Sequence, residues 1–246
     1  MRFILIALLL SCLAAGVAPA ASGKLTIRYH GHSCFTLAGD FSRMIFDPFG
    51  KVVDYTLPAE RIGIVMVSHE HADHNNVEGI PGFPIILRGL KEGGKVHDSP
   101  EFSLGQIHIK GFPSYHDDQR GSLRGLNTIF RVEIGGFRIA HLGDLGCMLT
   151  EEQEKELKNL DVLLIPVGGF FTIGPEQAAE IVKKLKPVVT IPMHYKTEKT
   201  ANLPIQPLEA FLKFFPDAVR VKGNALSFTI DKLFEKPGVY VLEIGK

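Results

Sequence analysis

Six consecutive residues, His69-Glu70-His71-Ala72-Asp73-His74, place three imidazoles and one interleaved aspartate at the carboxyl end of the compact β-branched run Arg61 to Ser68. A run of that composition reads as a buried strand of an α/β sheet, and ligands collect at the carboxyl ends of such strands. The motif therefore constrains fold and chemistry together. His69 and His71 are two apart, so on an extended or tightly turning backbone their rings can point the same way and share one cation. Asp73 and His74 follow at once. Four donors this close can hardly converge on one tetrahedral ion without backbone strain, so the first pair is expected to bind one metal and the second pair another. Ten histidines scattered over 246 positions would give this pattern by chance on the order of once in a thousand such sequences.

Further segments stand in order with it: Gly31-His32-Ser33-Cys34-Phe35, Phe46-Asp47-Pro48-Phe49, His141-Leu142-Gly143-Asp144 and Pro192-Met193-His194-Tyr195. Taken with these, H-x-H-x-D-H after an apolar strand resembles the metallo-β-lactamase superfamily of metal-dependent hydrolases over about residues 24 to 240. The order and spacing are similar to the lactonase-like branch that contains the ascorbate-phosphate lactonase, with N-acyl-phosphatidylethanolamine phospholipase D a more distant relative. Only H-x-H-x-D-H is highly specific by itself.

The pattern along the chain agrees with that fold. Lys24 to Leu37 alternates around Leu25, Ile27, Tyr29 and Phe35, and Arg43 to Phe46 follows through Gly39-Asp40 as a second strand. Ile85 to Leu87, Ile107 to Lys110, Thr128 to Ile134 and Phe137 to His141 read as further strands, the last two joined as a hairpin by Gly135-Gly136. Thr150 and Gln153 form a capping-box start for a helix through Leu157, and the strand Asp161 to Val167 follows. Pro175 opens a helix to Leu185, and Val188 to Pro192 returns as a strand. A helix over Pro207 to Phe215 leads to closing strands at Ala225 to Ile230 and Val239 to Leu242. Strands first, then strand–helix alternation without a linker-like stretch, argue for one α/β domain over 24–246, two sheets covered by helices. The resemblance makes this a four-layer αβ/βα sandwich, the metallo-β-lactamase fold.

The resemblance also implies a ligand set. One ion takes His69, His71 and a third histidine from a later loop, the place His116 fits in Ser114-Tyr115-His116-Asp117-Asp118. His108 is its rival, although it lies inside an alternating strand. The second ion takes Asp73, His74 and His194, and Asp144 bridges the two. Taken singly, Asp144 is an ordinary turn residue and His194 an ordinary core histidine; their places after successive strands give them weight. Five histidines and two aspartates suit two divalent ions, zinc or manganese, with positions left open for water. Two cations about 3.5 to 4 Å apart lower the pKa of a shared water and polarise a carbonyl or phosphoryl oxygen. Asp73 and Asp144 are the catalytic candidates that would orient that water.

Around this set, Asp47 reads either as a group that hydrogen-bonds a ligand imidazole or as a turn carboxylate before Pro48. His32 and Tyr195 are candidate substrate contacts or proton donors, with His30 and Lys196 weaker alternatives and packing the competing role for all four. Phe170-Phe171 walls an apolar pocket or packs in the core. Cys34 and Cys147 could approach the metals, but buried small-hydrophobe cysteines are commoner.

The amino terminus is separate in character. Met1-Arg2, the apolar run Phe3 to Leu10 and Ala18-Pro19-Ala20 read as a signal peptide over 1–20, which implies export to the periplasm or the medium. Leu9-Leu10-Ser11-Cys12 resembles a lipobox, which would instead remove 1–11 and anchor the protein to a membrane through a lipidated Cys12. The apolar core is shorter than the roughly 20 residues a membrane span requires. Lys plus Arg equals Asp plus Glu at 27 each, so no overall field draws in nucleic acid or an anionic membrane. The expected partner is a small molecule: an ester, lactone or phosphoester cleaved by an exported dinuclear hydrolase. Lactonase-like relatives often assemble, which leaves a homo-oligomer open. The alternatives are an iron-dependent oxidoreductase on the same fold, in whose di-iron form a carboxylate usually stands at the place of His71, and a non-catalytic metal-binding module.

Overall fold

The computed structural model describes residues 23–39, 42–229, 232 and 236–244. The anticipated signal segment 1–20, the lipidation residue Cys12, Asp40 of the first turn and Ile230 of a closing strand lie outside the described residues.

The amino-terminal half supplies β1 (Lys24–Gly31), β2 (Cys34–Ala38), β3 (Arg43–Phe46), β4 (Ile64–Val67) and β5 (Ile85–Arg88). A small ribbon, β6 (Leu90–Lys91) and β7 (Val96–His97), precedes β8 (Glu101–Leu104), β9 (Ile107–Tyr115), β10 (Leu126–Ile134) and β11 (Phe137–His141). Alternation then begins with α1 (Glu151–Glu156), β12 (Val162–Pro166), α2 (Pro175–Leu185) and β13 (Val189–Met193). The chain closes with α3 (Leu208–Leu212), β14 (Val219–Val221), β15 (Ala225–Thr229) and β16 (Gly238–Leu242).

Among the described residues these make a six-stranded sheet ordered β15-β1-β2-β3-β4-β5 and an eight-stranded sheet ordered β14-β16-β13-β12-β11-β10-β9-β8. Each is mixed. β3, β4 and β5 run parallel in the first, and β11, β12, β13, β16 and β14 in the second, so their carboxyl ends gather at one pole. In β3 and β4, Met44, Phe46, Ile64 and Met66 enter the core between the sheets, whereas Ile45, Val65 and Val67 enter a smaller cluster on the outer face with Phe49, Val53, Ile62 and Ile80. Both faces are buried, hence the unbroken apolar run before His69. The outer layers differ: α2 covers the second sheet with Ala178, Ala179, Ile181, Val182 and Leu185. The first sheet is covered by residues of segment 48–63 and by Val77 and Ile80 of a 3₁₀ turn.

The capping box at Thr150 forms in both directions, and α2 has the anticipated bounds. Lys24 to Leu37 differs from the sequence reading. It is two antiparallel strands, because Gly31 (φ 108°) and His32 (φ 53°) reverse the chain before Ser33.

Candidate metal centre

The anticipated donors come from strand ends at the pole where the carboxyl termini gather. His69 to His74 follow β4, His116 follows β9, Asp144 lies just beyond β11, and His194 follows β13. His69 Nε2 lies 3.1 Å from His71 Nδ1. With His116 they offer three ring nitrogens within 4.8 Å of one another, and His32, Asp73, His74 and His194 form a second group on the same criterion. Asp144 Oδ2 stands between the groups, 3.3 Å from His116 Nε2, 3.3 Å from His74 Nε2 and 3.2 Å from His194 Nε2. His108 is exposed on β9 and bonds Ser103 Oγ at 3.0 Å. Eight residues of extended chain separate it from His116, roughly 25 Å.

The hydrogen bonds behind the rings decide where their lone pairs point. His74 Nδ1–H donates to Asp47 Oδ2 at 2.9 Å, and His116 Nδ1–H donates to the Phe171 carbonyl at 3.0 Å. Ser68 Oγ donates to Asp47 Oδ2 at 2.7 Å and so accepts from His69 Nδ1–H at 2.9 Å. In the neutral form that metal binding requires, each ring turns a bare Nε2 inward. Several lone pairs facing one carboxylate oxygen repel; a cation among them makes the arrangement attractive. His74 Nε2 is buried without a hydrogen-bond partner. On the chain's own geometry the donors fit metal ions.

Charge distribution follows from burial and contact. Burial holds His69 and His71 below the ordinary imidazole range, keeping them neutral donors. Burial works against ionising Asp144, yet the His194 and His74 rings beside it hold its carboxyl well below the usual range. Asp73 is held low against burial by the His32 hydrogen bond and by His74. His74 is raised against burial by Asp144, Asp47 and Asp73, and the same carboxylates make its Nε2 a strong donor to a dication.

Asp47 is more than a turn residue. It is buried at 1% exposure, its Oδ1 accepts Ser68 N–H at 2.7 Å, and its Oδ2 serves both Ser68 Oγ and His74. One carboxylate thus fixes a ring in each donor group. Asn127, which carries no motif, does comparable work: its Oδ1 accepts Asp144 N–H at 3.0 Å while its amide donates to Leu142 O and Ser114 Oγ. His141 is structural. Its Nε2–H donates to Ser33 O, its Nδ1 accepts Gly143 N–H, and its ring stacks on Phe46. Gly143 adopts φ 57°, and a side chain at Gly146 would overlap the His116 backbone, so both turns require glycine.

His32 lies inside the second group, with Nε2 3.0 Å from Asp73 Oδ2 and its ring 4.1 Å from that of His194. The same Asp73 oxygen faces His74 Nε2 at 3.8 Å. Tyr195 is buried with its ring 6.3 Å from that of Tyr29, and it borders a cavity lined by Lys196, Leu208, Arg220 and Val241, among which are none of the donors. His30 is buried against Thr36 Oγ1. Cys34 and Cys147 are free thiols and belong to neither donor group. The cluster opens to solvent at His71, which is exposed, and at Asp73, whose side chain is 29% exposed.

Comparison with known proteins agrees with this architecture. A Beta-lactamase superfamily domain matches residues 26–194. The UPF0173 metal-dependent hydrolase of Methanoculleus marisnigri is 30% identical over 218 residues, 82% of this chain and 94% of the relative. That of Archaeoglobus fulgidus is 28% identical over 242 residues, 87% of this chain and 97% of the relative. A Thermotoga maritima crystal structure, described as a candidate zinc-dependent hydrolase of the metallo-beta-lactamase superfamily, is 32% identical, with a TM-score of 0.71 over 90% of this chain and 100% of that one. The fold class is that of the metallo-β-lactamases. This chain belongs to the beta-lactamase superfamily, within its UPF0173 metal-dependent hydrolases.

Proposed function

We propose that the protein hydrolyses a small ester, lactone or phosphoester at a centre that holds two divalent cations, zinc or manganese. The observation that carries this reading is Asp144 Oδ2 within 3.3 Å of ring nitrogens from both donor groups. His69, His71 and His116 would hold one ion and Asp73, His74 and His194 the other, with Asp144 shared. Bound there, the two ions supply Lewis acidity to the scissile carbonyl or phosphoryl group and acidity to a water.

The chain's own residues supply orientation. Asp73 is anionic, lies at the open edge and is steadied by His32, so it can accept a hydrogen bond from the attacking water and aim it. Asp47 and Ser68 keep the His69 and His74 rings in the donor tautomer. The names of the relatives support hydrolysis, and the open face at His71 and Asp73 suits a small-molecule substrate. The sequence of residues 1–20 supports export as a signal peptide, with a membrane-anchored lipoprotein lipidated at Cys12 the alternative.

The test is turnover of nitrophenyl esters, lactones and bis-nitrophenyl phosphate by mature protein before and after chelation. Turnover lost with the metal and restored by zinc or manganese is expected. No turnover of any of the three classes after reconstitution contradicts the reading, and an iron spectrum redirects it to oxidative chemistry.

A further inference from the structure

The loop between β9 and β10 and the turn after β12 meet beside His116, and both are tied to it. The His116 backbone N–H donates to Gly125 O at 3.0 Å, and its ring donates to Phe171 O at 3.0 Å. Buried Asp117 accepts the backbone N–H groups of Gln119, Gly121, Leu123 and Arg124 at 2.7 to 2.9 Å, which winds this loop around one carboxylate. In the facing turn, Gly169 N–H donates to Ile173 O and Phe171 N–H donates back to Gly169 O, at 3.1 and 2.7 Å. That tight turn holds Phe170 at φ 59°, a conformation that side chains rarely adopt and that collects at functional sites.

The result is a prebuilt wall. Phe170 is 59% exposed and meets Phe171 edge to face, with centroids 4.7 Å apart. The Arg124 guanidinium carbon lies 5.6 Å from one ring centre and 5.9 Å from the other. Among the described residues the arginine ion pairs engage Arg88, Arg131, Arg138 and Arg220, and none engages Arg124. An unpaired, planar cation on an aromatic pair offers an apolar surface and a fork of donors for an oxyanion. Conventional packing would bury Phe170, and a solubilising arginine would need no loop wound around Asp117 to place it.

We propose that Arg124, Phe170 and Phe171 form a substrate-recognition subsite for acidic substrates: the rings take the apolar body, and Arg124 takes a carboxylate or phosphate distant from the scissile bond. The identity of that bond rests on the hydrolase reading above; the binding preference does not.

The experiment is calorimetric titration of metal-loaded protein with 4-phenylbutyrate and with its uncharged isostere 4-phenylbutyramide. Wild type is expected to bind the carboxylate about tenfold or more tighter, the scale of a charge-assisted hydrogen-bonded contact. Arg124→Gln should bring the ratio of the two affinities close to one, Phe170→Ala should weaken both probes, and metal content should stay unchanged in both variants. A ratio that survives in Arg124→Gln would mean that the metals alone capture the carboxylate, and it overturns the proposal. A wild-type ratio near one, or binding of neither probe, does the same. Paired turnover of nitrophenyl hemiglutarate and nitrophenyl butyrate separates the two readings, since a failed hydrolase assignment leaves the binding ratio intact.

Discussion

The two donor groups around Asp144 differ in charge and in support. His69, His71 and His116 are three imidazoles, and the two with resolved partners behind them lean on a hydroxyl and a backbone carbonyl. The other group contains Asp73 and His74, with the Asp47 carboxylate directly behind the His74 ring. An ion held by the first group would therefore draw its neutralising charge from Asp144 alone, whereas one held by the second would have Asp73 as well. A purely nitrogenous group favours zinc-like ions, and a carboxylate-containing one tolerates manganese. The lesson is that the site is asymmetric although one oxygen serves both halves.

The largest way to break the asymmetry is Asp144→Asn. It removes the shared charge and is expected to lower kcat/KM by on the order of 10³-fold, several kcal/mol of lost electrostatic stabilisation. Next come His116→Ala and His194→Ala, each expected to lose one metal equivalent and leave the other, as two-step calorimetric titrations would show. Loss of both ions from either variant would mean that the groups are not separable. Asp47→Asn should weaken both binding steps about 10- to 100-fold, and Ser68→Ala only the step at His69; equal effects of the two on both steps would contradict the hydrogen-bond relay.

A smaller effect is expected in the metal-free protein as pH changes. Burial lowers His30 and His32 to about 4. The unfolded chain takes up these protons near 6.5 and the folded chain does not, so stability is full above 6.5 and is lost as pH falls towards 4. Each ring contributes on the order of 2–3 kcal/mol across that window. Urea midpoints at pH 7 and 4.5 should differ less in His30→Gln, and an unchanged difference would remove His30 from the explanation. Smallest of all, Tyr195→Phe should leave metal content and kcat/KM near wild type; a large loss of activity would restore Tyr195 as a substrate contact.

Much of this was legible because strand patterning and metal chemistry speak in local sequence. The apolar run before His69 is buried on both faces, and Pro175 at the first helical position marked the start of α2. His116 could be separated from His108 because alternation put His108 on an exposed strand face. Other features depend on contacts distant in sequence. Asp47 meets Ser68 and His74 across more than twenty residues, and Asn127 reaches Asp144 across a hairpin. The exposed edge strands β8 and β14 lack the apolar alternation that marks a buried face. Tyr195 follows His194, which lies beyond β13 at φ 53°, where strand alternation no longer tells which way a side chain points.

The most direct test of two unequal groups sharing one carboxylate is metal content per chain of the purified mature protein, with Asp144→Asn alongside. About two zinc or manganese ions in wild type, reduced in the folded variant, is the predicted result. A single ion in wild type, unaffected by Asp144→Asn, would contradict it.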